Sequence, residues 1–346
     1  MTVYIGVDLH ARQQTLAFVD THDGEIKCRE LHHQKEDVAA FYRQFTGEVI
    51  VGVEASGYTN WFEELIEQLG YTLLEGSAAE IRRLARRRQK NDRRDAELIL
   101  DLLAHDEFPR LYRYPRQSRE VLRQLRFRHK LVKLRTSVLN SLHALSISAG
   151  LSLQARLATA QGRTRLEQLR LSPVLATQRD EWLALGDELS HRILAVERWL
   201  QRQAKDDEQA PSVQTQRVQT HAGVGLLTSL CLVHTLGDVT RFASTRKVTA
   251  YVGLDVTEHS SAERKVYGGR SLAGSRLLRY LLVEAGQTAA RSDEQLRDFY
   301  QQVMKRRGKA KAKVAVARKL LIRTFIMLRD EIDYAEFLRR GKRTGE

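Results

Sequence analysis

The first hundred residues alternate between short apolar runs and stretches with helical spacing. The apolar runs predict five strands, at residues 3–8, 15–20, 25–32, 49–54 and 71–74. Runs of this length, rich in β-branched residues and bounded by turn residues, are typical of buried strands. Helical spacing at residues 35–45 and 61–69 places one helix before the fourth strand and one after it. This order predicts a mixed sheet flanked by helices.

Helical spacing dominates the middle of the chain. Residues 78–105 begin very basic and then turn acidic and apolar, and Pro109 and Pro115 mark a boundary after them. Leucines recur at helical spacing through residues 117–205. This pattern predicts two or three long helices in an antiparallel hairpin that is able to dimerise.

The last part of the chain is predicted to be mostly helical as well. Pro173 is expected to start a new helix, and the polar residues 205–214, which include Pro211, are expected to form a linker. Residues 218–338 again show helical spacing, interrupted by a Gly- and Ser-bearing stretch that begins at Gly253.

The charge balance indicates a polyanionic partner. Among 346 residues, 57 are Lys or Arg and 43 are Asp or Glu, which gives a net charge of +14. Nucleic acid is the commonest polyanion for such a protein. An anionic membrane surface is disfavoured because the basic residues are spread over several segments. We expect no disulfide framework from two cysteines, no signal peptide and no membrane-spanning run, and therefore a reducing cytoplasm.

Four carboxylates occupy positions from which they could meet. Asp8 and Glu54 each end a predicted strand, and Asp92 and Asp95 are spaced i, i+3 on one helical face. Acids gathered at one point repel each other unless divalent cations lie between them. Two Mg²⁺ ions about 3.5–4 Å apart are the standard arrangement for in-line attack on a phosphodiester. The alternatives are that these acids cap turns or form surface ion pairs.

Three strings around these acids, YIGVDLHARQQTLAFVD, VGVEASGY and KNDRRDAELILDLL, carry a family resemblance. They resemble the amino-terminal domain of the DEDD transposases of the insertion-sequence-110 family, which the Piv-type DNA invertases share. The resemblance implies an RNase H-like (RuvC-like) fold with the catalytic D, E, D, D quartet on Asp8, Glu54, Asp92 and Asp95. Lys90 and Ala96 also match the family pattern. An Asn-Pro common in the family is replaced near Gly76, which affects only a turn.

A serine pair later in the chain offers a nucleophile. Ser260 and Ser261 lie in a polar stretch beside His259, Arg264 and Lys265. A serine hydroxyl needs a base, a metal or nearby positive charge to react, and most loop serines are turn residues. The same family carries a catalytic serine in a similar stretch, which implies that role for Ser261, with Ser260 as the alternative.

Departures from the family pattern occur around this serine, at Val256, Ala262 and Leu272. They put the loop shape and the phosphate contacts in question and leave the hydroxyl in place. Upstream, residues 222–225 read Ala-Gly-Val-Gly. They resemble the turn of a helix–hairpin–helix, whose glycines let backbone N–H groups approach a phosphate. An ordinary helix–helix connection is the alternative.

Basic segments at residues 82–94, 110–135 and 305–319 are candidate nucleic-acid surfaces. Lysines and arginines interleaved with aromatic residues can meet phosphates and stack on unpaired bases, although a solvated helix face is the alternative. The residues expected to bind nucleic acid are Arg86, Arg87, Lys90, Arg126, Arg128, Lys265, Arg270, Lys305, Arg306, Lys309 and Lys311. The resemblance adds a structured guide RNA encoded by the element as a further partner.

Together these features predict three parts. Residues 1–108 are expected to form the RNase H-like α/β domain, residues 109–212 an all-α, coiled-coil-like spacer, and residues 213–346 a mostly α domain carrying the serine. The expected function is a Mg²⁺-dependent transposase or recombinase in the bacterial nucleoid, acting on donor and target double-stranded DNA as a homodimer or homotetramer. A Piv-like invertase, a RuvC-like structure-selective nuclease and a non-catalytic nucleic-acid-binding protein are the alternatives.

Overall fold

The structure is a computed structural model that describes residues 1–34, 37–56, 59–85, 91–150, 159–205, 210–261, 264–270 and 274–343. For residues 210, 256–261, 264–270, 342 and 343, the description covers the backbone only. The chain divides into two compact units, Met1–Arg113 and Tyr114–Glu346.

The first unit is built on a five-stranded mixed sheet with the order β3-β2-β1-β4-β5. Strand β1 is antiparallel to β2 and parallel to β4, β2 is antiparallel to β3, and β4 is parallel to β5. The strands are β1 (Thr2–Leu9), β2 (Gln13–Asp20), β3 (Lys27–His32), β4 (Glu48–Glu54) and β5 (Thr72–Gly76), and the helices are α1 (Val38–Arg43), α2 (Asn60–Gln68), α3 (Ala78–Leu84) and α4 (Asp92–Ala104). The predicted sequence of strands and helices is confirmed.

Strand β1 is the central strand of this sheet, and side chains cover both of its faces. Alternate residues of β1 and β4, among them Ile5 and Val51, are buried with Tyr42 and Phe62 in one apolar core. On the opposite face, α4 approaches β1 at Gly6. A Cβ atom at Gly6 would lie 2.5 Å from the backbone nitrogen of Leu100. Only glycine permits this contact, which brings the first turn of α4 to the end of β1.

The helical pattern of residues 78–105 was predicted as one stretch, but the structure contains two helices there. Helix α3 ends at Leu84, and the backbone of the next residue, Ala85, is extended. Helix α4 has its own N-cap, Asn91, whose side chain accepts a hydrogen bond from the Arg93 N–H at 3.1 Å. Residues 86–90, which include Arg86, Arg87 and Lys90, lie outside the described residues.

The second unit consists mainly of helices. Two long helices, α5 (Arg116–Ser148) and α7 (Pro173–Gln203), pack side by side, with Arg128 beside Glu197 and Arg135 beside Ser190. Arg128 precedes Arg135 on α5, whereas their partners occur in the reverse order on α7. The two helices are therefore antiparallel, as predicted. Pro173 occupies the first turn of α7, where a proline lacks no needed N–H.

The start of α5 and the end of α7 share one apolar core with the helices that follow. The remaining elements are α6 (Ala160–Glu167), α8 (Ala210–Gln219), α9 (Leu226–Leu236), a short 3₁₀ helix (Val239–Arg241), α10 (Thr245–Val252), β6 (Val256–Ser261), β7 (Arg264–Arg270), α11 (Arg276–Ser292), α12 (Glu294–Arg307), α13 (Lys309–Arg329) and α14 (Tyr334–Arg343).

The division into residues 1–108, 109–212 and 213–346 stays a prediction. None of the helices in the described ranges is both long and apolar enough to cross a membrane.

One expectation for the second unit was wrong. The linker predicted for residues 205–214 is helical from Ala210 onward, because Pro211 lies in the first turn of α8, where proline is tolerated. The Gly- and Ser-bearing stretch after Gly253 interrupts the helices, as expected. Its residues 256–261 and 264–270 form an antiparallel hairpin that was not predicted.

A buried ion pair joins three helices of the second unit. Arg323 of α13 donates to the Oδ2 atom of Asp293 at 2.8 Å, and both side chains are 6% exposed. Asp293 also accepts from the Tyr334 hydroxyl and caps α12 through the Leu296 N–H. Burial raises the pKa of Asp293, but the hydrogen bonds from Tyr334, Leu296 and Arg323 outweigh it and hold the pKa below its ordinary value.

Replacing Gly6 with alanine should destabilise the first unit by about 1–3 kcal/mol, because the added methyl group collides with the backbone of α4. Gly186→Ala in α7 is the matched control, since its Cβ would lie 3.6 Å from Val138 Cγ1. That change should add about 0.5–1 kcal/mol by favouring the helix. Urea unfolding of both variants measures the difference, and equal effects would contradict the close contact at Gly6.

Asp293→Asn should lower the free energy of unfolding by about 3 kcal/mol at neutral pH, because it leaves Arg323 buried without its counter-charge. The folded-state pKa of Asp293 lies below its ordinary value of 3.8. The contribution of the carboxylate is therefore complete above that value, and it is lost as the pH falls through the folded-state pKa. Urea unfolding across this pH range should show the gap between wild type and variant closing in acid. The more exposed pair Arg329–Asp330 provides a control, Asp330→Asn, with a smaller loss of about 1 kcal/mol.

Candidate active site

Asp8 and Glu54 lie at the same edge of the sheet. The parallel strands β1 and β4 pair Val7 with Val53, and each acid is the next residue of its strand. Side chains at the carboxyl ends of neighbouring parallel strands emerge close together. The two acids therefore end neighbouring parallel strands, as the sequence predicted, while their convergence on one ion stays a prediction.

Asp92 joins Asp8 through the packing of α4 on β1, and the two carboxylates meet at a histidine. His10 Nε2 lies 3.2 Å from Asp8 Oδ2 and 3.6 Å from Asp92 Oδ2. One ligand atom from each of these three residues lies within 4.8 Å of the other two. We call this group the Asp8–His10–Asp92 cluster. The Asp8 side chain is 15% exposed, whereas His10 and Asp92 are 42% and 45% exposed, so the cluster opens to solvent.

His10 was absent from the site predicted from the sequence. A signal for it exists, because His10 is two residues beyond Asp8 and directly follows Leu9, the last residue of β1. The donor set of the cluster fits a divalent cation. Carboxylate oxygens suit Mg²⁺ and Mn²⁺, and an imidazole nitrogen adds a ligand that transition metals accept more readily.

The other two predicted acids are placed differently. Glu54 accepts a hydrogen bond at 3.1 Å from Arg82, whose side chain is 74% exposed. Asp95 is half-buried in the first turn of α4, on the same side as Asp92. The described residues thus bring together Asp8, Asp92 and His10, while Glu54 is paired with a cation. A site made by all four acids stays a prediction.

The serine pair lies on the hairpin of the second unit. Ser260 pairs with Lys265 and Ser261 with Arg264 at the far end of β6 and β7. Lys265 and Arg270, both expected to bind nucleic acid, are on β7.

The segments that flank this hairpin are fixed to the helices around it. Arg279 of α11 is 4% exposed and donates to the Val252 carbonyl at 3.0 Å, and Arg318 of α13 lies 3.1 Å from Asp255. At the other end, a Cβ atom on Gly274 would lie 2.6 Å from the carbonyl carbon of Val252. These contacts hold residues 252–255 next to Gly274, so the hairpin projects from a rigid base.

The candidate nucleic-acid residues on described side chains fall into two groups. Arg126 is exposed on α5, whereas Arg128 donates to Glu197 at 2.7 Å and is largely engaged there. The second group is exposed on both sides of Gly308, where α12 ends and α13 begins, and consists of Lys305, Arg306, Lys309 and Lys311. Within the described ranges, no carboxylate lies within ion-pair distance of these four cations. Such a surface remains available to phosphate.

Models of two known protein families match this chain. Residues 5–145 match a model of the IS110-type DEDD transposases, described as a transposase. Residues 215–301 match the model described as the transposase IS116/IS110/IS902 family. The first match contains the Asp8–His10–Asp92 cluster, and the second contains the serine hairpin.

Individual relatives agree with the family models. The transposase for insertion sequence element IS1111A of Coxiella burnetii is 31% identical over 244 residues, which are 66% of this chain and 64% of the relative. A probable family 20 transposase of Pseudomonas aeruginosa is 27% identical over 91% of this chain and 93% of its own length. The transposase for insertion sequence element IS1328 of Yersinia enterocolitica is 27% identical over 68% of this chain and 69% of its own length. The chain therefore belongs to the IS110 family of transposases, enzymes that cut and rejoin the DNA of insertion elements.

Proposed function

We propose that this protein is the recombinase of an insertion element, which cuts and rejoins DNA with a metal-bound acidic site and a serine nucleophile. The observation that carries the proposal is the Asp8–His10–Asp92 cluster, in which two carboxylates distant in the chain converge within reach of one cation. The strand order β3-β2-β1-β4-β5 is compatible with the RNase H-like fold that the sequence resemblance implies.

The expected arrangement contains two Mg²⁺ ions. They would be held by Asp8 and Asp92, with Glu54 and Asp95 next to them. When bound, they would supply positive charge against the charge that develops on the phosphate and on the leaving oxygen. His10 contacts both carboxylates, and its imidazole can add a nitrogen ligand. Arg82, whose side chain is 74% exposed, pairs with Glu54, and an ion pair with so exposed a partner contributes little, so Glu54 can turn toward a cation at low cost.

The serine step conserves the energy of the DNA bond. The Ser261 oxygen forms a bond to a backbone phosphorus and gives its proton to solvent, while one deoxyribose oxygen leaves that phosphorus and is protonated. A hydroxyl of a second DNA strand then attacks the phosphoserine bond, which restores a phosphodiester and frees the serine. The acids belong to the first unit and the serine to the second, and strand exchange needs at least two copies of each, which a dimer or tetramer would supply.

The unpaired cations of the second unit support a large nucleic-acid partner. The exposed cations around Gly308 and the exposed Arg126 suit the phosphates of donor and target DNA. The same chemistry suits a structured guide RNA, the further partner that the resemblance implies, and the nucleoid as the place of action.

Asp92→Asn should reduce Mg²⁺-dependent cleavage of a plasmid bearing the element ends by at least about a hundredfold, because one ligand of the cluster loses its charge. Asp101→Asn is the matched control on the same helix, since that carboxylate is 63% exposed and pairs only with His105 in its described surroundings. The control should cleave at the wild-type rate. Equal rates for wild type and Asp92→Asn would remove the acidic site from the mechanism.

Ser261→Ala should abolish the covalent protein–DNA adduct, which a denaturing gel resolves as a labelled band of increased mass. Ser260→Ala, on the neighbouring position of β6, should keep the adduct. Loss of the adduct in Ser260→Ala alone would move the nucleophile to that residue. Cleavage that continues unchanged in Ser261→Ala, with no adduct in the wild type, would instead identify a nuclease that uses water.

A further inference from the structure

A groove with a volume of about 760 Å³ runs between α5 and the start of α11. Its lining residues on α5 are Arg126, His129, Val132, Lys133 and Thr136, which recur every three or four positions and so form one face of the helix. The side chains that define its chemistry are Arg126, His129, Lys133, Arg276 and Tyr280. All of them belong to the second unit.

The described lining of the groove is basic. Neither Asp nor Glu is among the lining residues that the structure describes. Arg126, Lys133 and Arg276 are exposed, and within the described ranges none of the three has a carboxylate partner. Their neighbour Arg128 contrasts with them, because it is paired with Glu197. Three unpaired cations facing one groove favour a ligand with several negative charges.

An aromatic pair adds a stacking surface to these charges. Tyr280 is 50% exposed, and its ring centroid lies 5.1 Å from that of His129. Burial, together with Lys133 and Arg128, lowers the pKa of His129, so its ring is neutral at neutral pH. The positive charge therefore comes from the three cations, and the two rings offer an uncharged surface between them.

We propose that this groove binds an unpaired nucleic-acid strand, with its phosphates against Arg126, Lys133 and Arg276 and one base stacked on Tyr280. Arg126 and Lys133 are about 10 Å apart along α5, at 1.5 Å per residue, so one strand can contact both. Cations along a groove beside exposed aromatic rings are typical of single-strand binding, whereas a duplex keeps its bases inside.

The position of the groove relates it to strand exchange. Gly274 and Ser275 line it and follow closely after β7 of the serine hairpin. A strand released by cleavage at the hairpin would therefore emerge near it. The inference rests on the proposed function for this relation, but strand binding can be measured without any cleavage.

The test measures fluorescence anisotropy of the full chain in EDTA with labelled oligo(dT), oligo(rU) and a DNA duplex of equal length. Arg126→Gln/Lys133→Gln should weaken single-strand binding about tenfold and reduce the slope of log affinity against log salt by about 1.4. Tyr280→Ala should weaken it at least about fivefold. The control, Arg123→Gln/Lys130→Gln, removes the same charge from exposed positions of α5 outside the groove and should bind as wild type.

A loss on oligo(dT) or on oligo(rU), with the control unaffected and all melting temperatures unchanged, supports the inference and identifies the sugar of the strand. Equal losses in the control, unchanged single-strand affinity in the groove variants, or a loss limited to the duplex would each overturn it. In a further outcome, the groove variants lose strand affinity while the wild type forms no covalent adduct with DNA. That pair of results would refute the Ser261 step and leave the groove assignment standing.

Discussion

Helix α4 lies directly against strand β1 because Gly6 has no side chain to hold the two backbones apart. This contact fixes the first turn of α4 at the end of β1, so that Asp92 approaches Asp8 although more than eighty residues separate them in the chain. The apolar cores on the two faces of the sheet hold the arrangement in place. The acidic site is thus a consequence of packing at a glycine, and its charges are held together by the stability of the first unit.

Much of this could be predicted from residue patterns. Apolar runs identified every strand of the first unit, and strand-end acids with an i, i+3 pair identified Asp8, Glu54 and Asp92 as candidates. The hairpin was missed because VTEHSS shows almost no apolar alternation, and its two strands pair only with each other. His10 was missed because its role depends on where α4 lies, which local spacing does not specify. The pairing of Glu54 with Arg82 likewise depends on the position of α3.

The second unit presents the candidate serine on a rigid base. Arg279 and Arg318 fix the segment before the hairpin, and Gly274 packs against the same segment from the other end. The buried Arg323–Asp293 pair, farther along the chain, joins α12, α13 and α14 around the same core. A reactive hydroxyl gains from such support, because small misplacements of a nucleophile cost large factors in rate. The proposed division of labour assigns the metal to acids of the first unit and the attack on DNA to a serine of the second.

The central claim is that Asp8 and Asp92 hold a divalent cation. Anomalous scattering from crystals of the protein grown with Mn²⁺ tests it most directly, because it locates the ion independently of activity. The account predicts an anomalous peak about 2.2 Å from carboxylate oxygens of both residues, with His10 beside it. A peak elsewhere, or none at saturating Mn²⁺ while the two side chains stay in place, would contradict it.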